Sequence, residues 1–186
     1  HIELELYKWM SKYYHYSLGK LIFDSLPKVM KRPKKVEIEN GENKEIPHEL
    51  NETQKPVHAQ IQKSLNQGFS QHYTHGVTGS GKSLIYLKLI KEVLASGKSA
   101  QFLLPEINLT PQFVNMFKEY LGHKVFSYHS GVTPSEKYHI WKELKENKEP
   151  VLVMGVRSSI FLPIENLGIV VVDEEHDGSF KQSDRC

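Results

Sequence analysis

The chain has 186 residues, of which 39% are hydrophobic and 25% are charged. This length and composition exclude a disordered or collagen-like chain and favour one substantial folded domain. The 24 lysines and arginines nearly balance the 22 aspartates and glutamates, and the net charge is +2. Bulk charge therefore does not indicate a nucleic-acid or membrane-surface protein, and any site for a polyanion must be local.

The cysteine content and the length of the apolar runs exclude further classes of protein. The single cysteine, Cys186, excludes an internal disulfide framework and a CxxC metal site within these residues, which favours an intracellular protein. No apolar run approaches the ~20 residues of a membrane-spanning helix, so no membrane partner is predicted. Because the chain begins with His1, the lack of a targeting signal says little.

A helical segment is predicted at 1–27. Apolar and aromatic residues recur at three- and four-residue spacing over 2–16, the pattern of one buried helical stripe. Ser17 is placed to cap a second short helix, which Pro27 would end because proline cannot continue the hydrogen-bond ladder. The apolar pattern then fades through a basic and an acidic cluster, so that 28–49 is predicted to be a linker and 50–186 the main domain.

From Asn51 onward, short apolar runs alternate with amphipathic segments that carry helix start and stop signals. Thr110-Pro111 and a capping box at 133–136 mark helix starts. The predicted helices begin at about 51, 82, 110 and 133, the first three ending at Gly68, Gly97 and Gly122, and the predicted strands cover about 69–74, 101–104, 124–128, 151–154 and 168–172. This alternation predicts an α/β fold in which a parallel sheet of about five strands is sandwiched by helices.

The segment GVTGSGKS at 76–83 satisfies the phosphate-binding pattern GxxxxGK(S/T), and it lies between a predicted strand and a predicted helix. Its glycines allow backbone N–H groups to surround phosphate oxygens, Lys82 reaches the outer phosphates, and the Ser83 hydroxyl can ligate magnesium. A plain glycine-rich turn would not require Lys-Ser at the helix start. ATP and Mg²⁺ are the expected ligands, and the predicted nucleotide-binding residues are Gly76, Thr78, Gly79, Ser80, Gly81, Lys82 and Ser83.

Acidic residues directly follow the last predicted strand, as Asp173-Glu174-Glu175-His176. In P-loop ATPases an aspartate in this place holds the magnesium shell, and a neighbouring carboxylate can polarise the attacking water. We therefore predict that Asp173 binds magnesium together with Ser83 and that Glu174 is the general base. Lys82 and Asp173 complete the predicted catalytic set.

The acidic box resembles the DExH box of superfamily 2 helicases, and other segments narrow the resemblance to the PriA family of primosomal replication-restart helicases, also called primosomal protein N′. Order and spacing fit throughout. The segments that carry the resemblance are GVTGSGKS at 76–83, PEINLTPQ at 105–112, HSG at 129–131, GVRSSIF at 155–161 and NLGIVVVDEEHDGSFKQ at 166–182, with WMSKYYHYSLGKLIFDSLP at 9–27 and LNETQ at 50–54 upstream.

This resemblance implies the first RecA-like lobe of an ATP-dependent 3′-to-5′ DNA helicase in replication restart and primosome assembly, located in the bacterial cytoplasm with the nucleoid. The implied partners are single-stranded and forked DNA, primosome proteins and single-strand-binding proteins. Gln54 becomes a candidate adenine sensor, although a glutamine at a helix start is also an ordinary cap partner. His176 becomes a coupling residue, and the implied DNA contacts are Thr110, Gly155, Arg157, Ser158, Phe180 and Lys181.

The chain departs from the family pattern in two places. The interval 28–49 is too short for the family's winged-helix domain. The cysteine-rich zinc-binding insert and the second RecA-like lobe that follow the DExH box in the family are missing here, so zinc is expected only in the downstream region. Because the second lobe would supply an arginine finger, typically worth ~10³–10⁵ in rate, we expect this chain to bind Mg-ATP with little turnover.

Three other functions stay open. A P-loop kinase would share residues 76–83 but should carry an arginine-bearing lid instead of a strand-terminal DEEH. A non-catalytic nucleotide-dependent adaptor would bind ATP without needing the base Glu174. A duplex translocase would hydrolyse ATP without strand separation, and only an unwinding assay distinguishes it from a helicase.

Overall fold

The computed structural model describes residues 2–27, 40–65, 67–77 and 79–180. Four strands form one parallel sheet. Two predicted site residues, Thr78 and Lys181, lie outside the described residues, as does 28–39 of the predicted linker. The strands are β1 (Ser99–Leu103), β2 (Lys124–Tyr128), β3 (Val151–Gly155) and β4 (Leu167–Val172). Their order in the sheet is β2-β3-β1-β4.

Helices cover both faces of this sheet, because alternate side chains of each strand point to opposite faces. On one face, Leu152 and Met154 of β3 pack in a cluster with side chains of the helices at 82–95 and 111–121. On the other face, Val151 and Val153 pack with Ile140 and Leu144 of the helix at 134–146. The α/β fold predicted from the sequence is confirmed. The helices are α1 (Ile2–Tyr13), α2 (Leu18–Ser25), α3 (Gln54–Ser64), α4 (Lys82–Ala95), α5 (Pro111–Leu121) and α6 (Pro134–Glu146).

Local capping chemistry fixes the helix starts. The Thr110 hydroxyl accepts a hydrogen bond from the Phe113 N–H, at 3.3 Å, and Pro111 occupies the first helical position. At the start of α6 both halves of the capping box between Thr133 and Glu136 are present. Ser17 precedes α2 as predicted, but its side chain makes no capping hydrogen bond. The start signals at α5 and α6 are confirmed.

The predicted strand at 69–74 is wrong, so the sheet has four strands within the described residues instead of about five. Phe69 is 98% exposed and Tyr73 is 74% exposed. A strand is stabilised by pairing and by burial of one face, and none of the described side chains at 67–77 is buried. The preceding helix α3 is also shorter than predicted and ends at Ser64, ahead of Gly68.

Residues 40–46, within the predicted linker, lie against the sheet domain. Asn40 forms an antiparallel bridge with Lys124 at the start of β2. The Gly122 N–H donates to Glu42 O at 2.9 Å, and Ile46 packs against the core on the α4–α5 face. Among the helices of the described residues, none has the length and apolar character needed to cross a membrane.

Candidate nucleotide-binding site and nucleic-acid interface

The glycine-rich loop at 76–81 turns directly into α4. Gly79 and Gly81 have φ angles of +82° and +79°, in the left-handed region that L-residues with a Cβ rarely adopt. The Ser80 N–H donates to Val77 O at 3.1 Å, which closes the turn before the helix. The amino end of the 14-residue α4 therefore points its free N–H groups and favourable dipole at this loop.

Lys82 and Ser83 are the first two residues of α4. The Lys82 ammonium donates hydrogen bonds to Gly76 O at 2.6 Å and to Val77 O at 3.3 Å, so the lysine folds back over the loop that it follows. Its charge also lowers the pKa of Asp173. To reach a phosphate, Lys82 would exchange its two carbonyl acceptors for phosphate oxygens.

Gln54 is the link between α3 and the glycine-rich loop. Its side-chain amide donates to Ser80 O at 3.1 Å and to Gly81 O at 3.3 Å, and its carbonyl oxygen accepts from the Asn51 N–H at 3.0 Å. The residue is only 7% exposed. A Cβ at position 81 would lie 2.3 Å from Gln54 Nε2, which is a second reason for glycine there. Gln54 thus supports the backbone of the loop directly.

Asp173 and Glu174 lie where β4 ends. The Asp173 N–H donates to Leu103 O at 2.9 Å and so continues the pairing of β4 with β1 by one residue. Burial raises the pKa of Asp173, and the charge of Glu174 raises it further, whereas the Glu174 N–H and Lys82 oppose the rise. Glu174 itself has a φ of +49°, a strained conformation for a residue with a Cβ.

Two tyrosines that sequence reasoning missed border these acids. Tyr86 of α4 is buried and meets Phe102 of β1 edge to face, with ring centroids 5.6 Å apart. Burial raises the pKa of Tyr86 to about 12, and the charges of Asp173 and Glu174 contribute to the rise. The Tyr73 hydroxyl donates to Glu175 at 3.3 Å. The spacing of Ser83 and Tyr86, one turn apart on α4, was the available signal for Tyr86.

The chemistry of the donors fits a magnesium ion bound together with nucleotide phosphates. Mg²⁺ prefers hard oxygen ligands such as the Ser83 hydroxyl and the Asp173 carboxylate, and it commonly uses only one or two protein ligands besides phosphate and water. Burial and the charge of Glu174 raise the pKa of Asp173, and together they oppose its ionised form more than Lys82 favours it. A divalent cation would supply the missing compensation.

A second surface lies at the same carboxyl edge of the sheet, on the loops after β1, β2 and β3. We call these three loops, at 105–110, 129–133 and 156–161, the edge loops. Their bases are joined by backbone hydrogen bonds, with Leu104 N–H donating to Gly155 O and Val156 N–H donating to Tyr128 O, each at 3.1 Å. Because parallel strands end at the same edge, this surface and the nucleotide site share one side of the sheet.

The predicted DNA-contact residues are distributed over this surface. Thr110 caps α5, and Arg157 and Ser158 are exposed at the start of a short 3-10 helix, 157–161. A Cβ at Gly155 would lie 2.6 Å from Ser159 Cβ and 2.8 Å from Tyr128 O, so glycine permits the close approach of these strand ends. The buried Gln101 amide holds the same loop by donating to Ser159 O at 2.8 Å, a role that sequence reasoning missed.

The remaining predicted residues follow β4. His176 Nε2 lies 3.4 Å from Glu174 Oε2, and the imidazole is largely exposed. Phe180 ends a short 3-10 helix, Gly178–Phe180, and is partly exposed. The His176 side chain thus lies beside the Glu174 carboxylate, whereas Phe180 lies four residues farther along the chain.

Comparison with known proteins then places the chain. The family described as type III restriction enzyme, res subunit, matches residues 47–185. The chain belongs to this family. The match covers the glycine-rich loop, the edge loops and the acidic box, and the RecA-like lobe predicted from the sequence agrees with it.

The resemblance to PriA proteins is also confirmed. The chain is 47% identical to the replication restart protein PriA of Bacillus subtilis (strain 168) over 139 residues, which are 74% of this chain and 17% of that protein. It is 42% identical to the PriA of Rickettsia conorii over 182 residues, 97% of this chain and 27% of that protein. The chain therefore spans about a sixth to a quarter of the length of these curated relatives.

Proposed function

We propose that this chain is the ATP-binding lobe of an ATP-dependent 3′-to-5′ DNA helicase that acts in replication restart and primosome assembly. The observation that carries the proposal is the arrangement of Lys82, which follows the glycine-rich loop at the start of α4, and Asp173, which follows β4 where its pairing with β1 ends. A phosphate loop and a strand-terminal acid in one site are what ATP hydrolysis requires. The PriA relatives supply the helicase and replication-restart assignment.

Within the site, each residue has a distinct task. The loop N–H groups and Lys82 bind phosphate oxygens, and Gln54 keeps the loop carbonyls of Ser80 and Gly81 turned away from the phosphates. Ser83 and Asp173 hold the magnesium ion, which when bound neutralises developing phosphate charge. Glu174 orients and polarises the attacking water, accepting its proton.

The proposed DNA contacts lie on the edge loops and after the acid box. Thr110, Gly155, Arg157 and Ser158 would contact phosphates through N–H, hydroxyl and guanidinium groups. Phe180 and Lys181 would provide base stacking and phosphate attraction, and His176 would couple DNA binding to the Glu174 carboxylate beside it. Single-stranded and forked DNA are the proposed substrates, with primosome and single-strand-binding proteins as partners at the bacterial nucleoid.

The test is ATP hydrolysis by the full-length protein with and without single-stranded DNA, followed by unwinding of a fork with a 3′ tail. Wild type should hydrolyse ATP faster with DNA and should separate the strands. Lys82→Ala should lose ATP binding, whereas Glu174→Gln should bind ATP and lose turnover.

Each competing function predicts a different result in these assays. Hydrolysis that ignores DNA but responds to a small-molecule acceptor would indicate a kinase. Unchanged turnover in Glu174→Gln would indicate an adaptor. DNA-stimulated hydrolysis without strand separation would indicate a duplex translocase.

A further inference from the structure

A single carboxylate connects two of the three edge loops. Glu106 begins the short 3-10 helix Glu106–Asn108 after β1, and its Oε1 accepts hydrogen bonds from both the N–H and the hydroxyl of Ser130, which follows β2. The N–H bond is 3.0 Å long. Because β3 lies between β2 and β1 in the sheet, this contact passes over the end of β3.

Glu106 is negatively charged, yet it lies on a surface that is proposed to bind negatively charged phosphates. Unpaired, its charge would repel DNA. The carboxylate is instead engaged by hydrogen bonds: the Ser130 hydroxyl lowers the pKa of Glu106 most, and the Ser130 N–H, His129 and Lys137 lower it further. Glu106 is therefore a fixed hydrogen-bond acceptor for the loop after β2.

The position of this contact complements the backbone bonds beneath it. Leu104 N–H to Gly155 O and Val156 N–H to Tyr128 O join the strand ends at the base of the edge loops. The Glu106–Ser130 contact joins two of these loops farther along the chain, beyond the last bonded backbone pair. Thr110 lies on one of the two loops that this contact joins, and Arg157 lies on the loop after β3, whose base bonds to both of them.

We propose that Glu106 is a positioning residue for single-stranded DNA, which acts by holding the loop at 129–133 against the loop at 105–110. The proposal rests on the function proposed above in naming DNA as the ligand. Glu106 itself does not contact the phosphates. Its contribution is to keep the edge loops in one arrangement, so that binding DNA does not have to order them.

The test measures DNA-stimulated ATP hydrolysis by the full-length protein as single-stranded DNA is titrated. Glu106→Ala should raise the DNA concentration for half-maximal stimulation about tenfold, the factor expected when a charge-assisted hydrogen bond is lost. The maximal rate and the KM for ATP should stay unchanged. Glu106→Gln keeps an acceptor for Ser130 and should stay within about threefold of wild type.

Two further variants separate positioning from simple charge. Glu165→Ala removes an acid that pairs with Lys148 and precedes β4, at the opposite edge of the sheet, and should behave as wild type. Ser130→Ala should weaken DNA stimulation less than Glu106→Ala, because the Ser130 N–H bond remains. The double variant should match Glu106→Ala alone, since both changes break one contact.

Several outcomes would overturn the inference. Tighter DNA binding by both Glu106→Ala and Glu106→Gln would show that the acid only repels phosphate. Wild-type behaviour of Glu106→Ala, or additive losses in the double variant, would show that the contact does not position the loops. A wild-type protein whose hydrolysis ignores DNA would instead overturn the proposed helicase function, and with it the role of Glu106.

Discussion

Asp173 lies in surroundings that oppose its negative charge, and this has a measurable consequence for stability. Its pKa is raised in the folded chain, first by burial and then by Glu174. An aspartate in the unfolded chain ionises with a pKa of about 3.9. The folded state therefore binds the proton more tightly than the unfolded state. As pH rises from about 3.9 to the higher folded pKa, ionisation of Asp173 lowers the free energy of unfolding.

Asp173→Asn should accordingly raise the melting temperature at neutral pH while removing magnesium-dependent ATP binding. The gain should be complete above the folded pKa of Asp173, should shrink as pH falls below that pKa, and should vanish well below about 3.9, where the wild-type carboxyl is protonated in both states. Thermal unfolding at a series of pH values measures this. Asp177→Asn is the matched control, because the Ser179 hydroxyl lowers the pKa of Asp177, and loss of that carboxylate should lower the melting temperature.

Gln54 allows a second test at the same scale, because support of the loop and recognition of adenine predict different results. Its amide donates to two loop carbonyls. Gln54→Ala leaves these unsatisfied and should weaken nucleotide binding about tenfold. Gln54→Glu should be worse despite its closer shape, since a carboxylate would face two carbonyl oxygens.

Comparing nucleotides separates the two roles of Gln54. If the residue supports the loop, ATP and GTP affinities should fall by the same factor in Gln54→Ala, as measured by calorimetry. A loss confined to ATP would contradict loop support and favour adenine sensing. Lys55→Ala is a suitable control, because Lys55 is exposed near the start of α3 and pairs with Glu52, which precedes the helix.

The site residues that the sequence predicted are those whose chemistry is local to one segment. The glycine-rich loop and the acids after β4 each carry their own pattern along the chain, and the charge of Lys82 lowers the pKa of Asp173. Tyr86, Gln101 and Glu106 were missed because each acts through a partner on another element. Their contacts depend on the order of strands in the sheet, which no spacing along the chain encodes.

At the scale of elements, the end of β3 is closely packed. A Cβ at Gly155 would meet Ser159 at 2.6 Å and the Tyr128 carbonyl at 2.8 Å. Gly155→Ala should therefore destabilise the chain by about 1–3 kcal/mol, the usual cost of overpacking, and should displace the helix at 157–161. Chemical denaturation measures the first effect and DNA affinity of the full-length protein the second.

Gly19→Ala provides the control for this substitution. Gly19 lies in α2 with no neighbouring atom within 4 Å of an added Cβ, and alanine is the better helix former. This variant should be neutral or slightly stabilising. Equal stability of the two alanine variants would contradict the packing argument at Gly155.

The starts of α4, α5 and α6 were predicted correctly, whereas α3 ends at Ser64, ahead of its predicted stop signal Gly68. The caps at Thr110 and Thr133 set α5 and α6, and β2 has the predicted bounds. The segment at 69–74 was mispredicted because its two large aromatic residues, Phe69 and Tyr73, find no face of the sheet to cover and stay exposed. Strand formation requires a partner that is distant in sequence, whereas a helix satisfies its own backbone.

At the scale of the whole molecule, the nucleotide site and the proposed DNA surface share one edge of the sheet but lie on different strands. The strand order is β2-β3-β1-β4, so that β1 separates the loop after β3 from the acids after β4. Within the described residues the one arginine is Arg157, on the β3 side of this divide. Stabilisation of transferring phosphate by an arginine is typically worth ~10³–10⁵ in rate.

The 186-residue chain should therefore bind Mg-ATP but hydrolyse it slowly, and single-stranded DNA should not restore a fast rate. Calorimetry should detect binding that Lys82→Ala abolishes, because Lys82 supplies the phosphate contact within this chain. Single-turnover hydrolysis should lie about three or more orders of magnitude below that of the full-length protein with DNA. Rapid DNA-stimulated turnover by this chain alone would contradict the prediction, since the 186 residues would then already hold every group that the transition state requires.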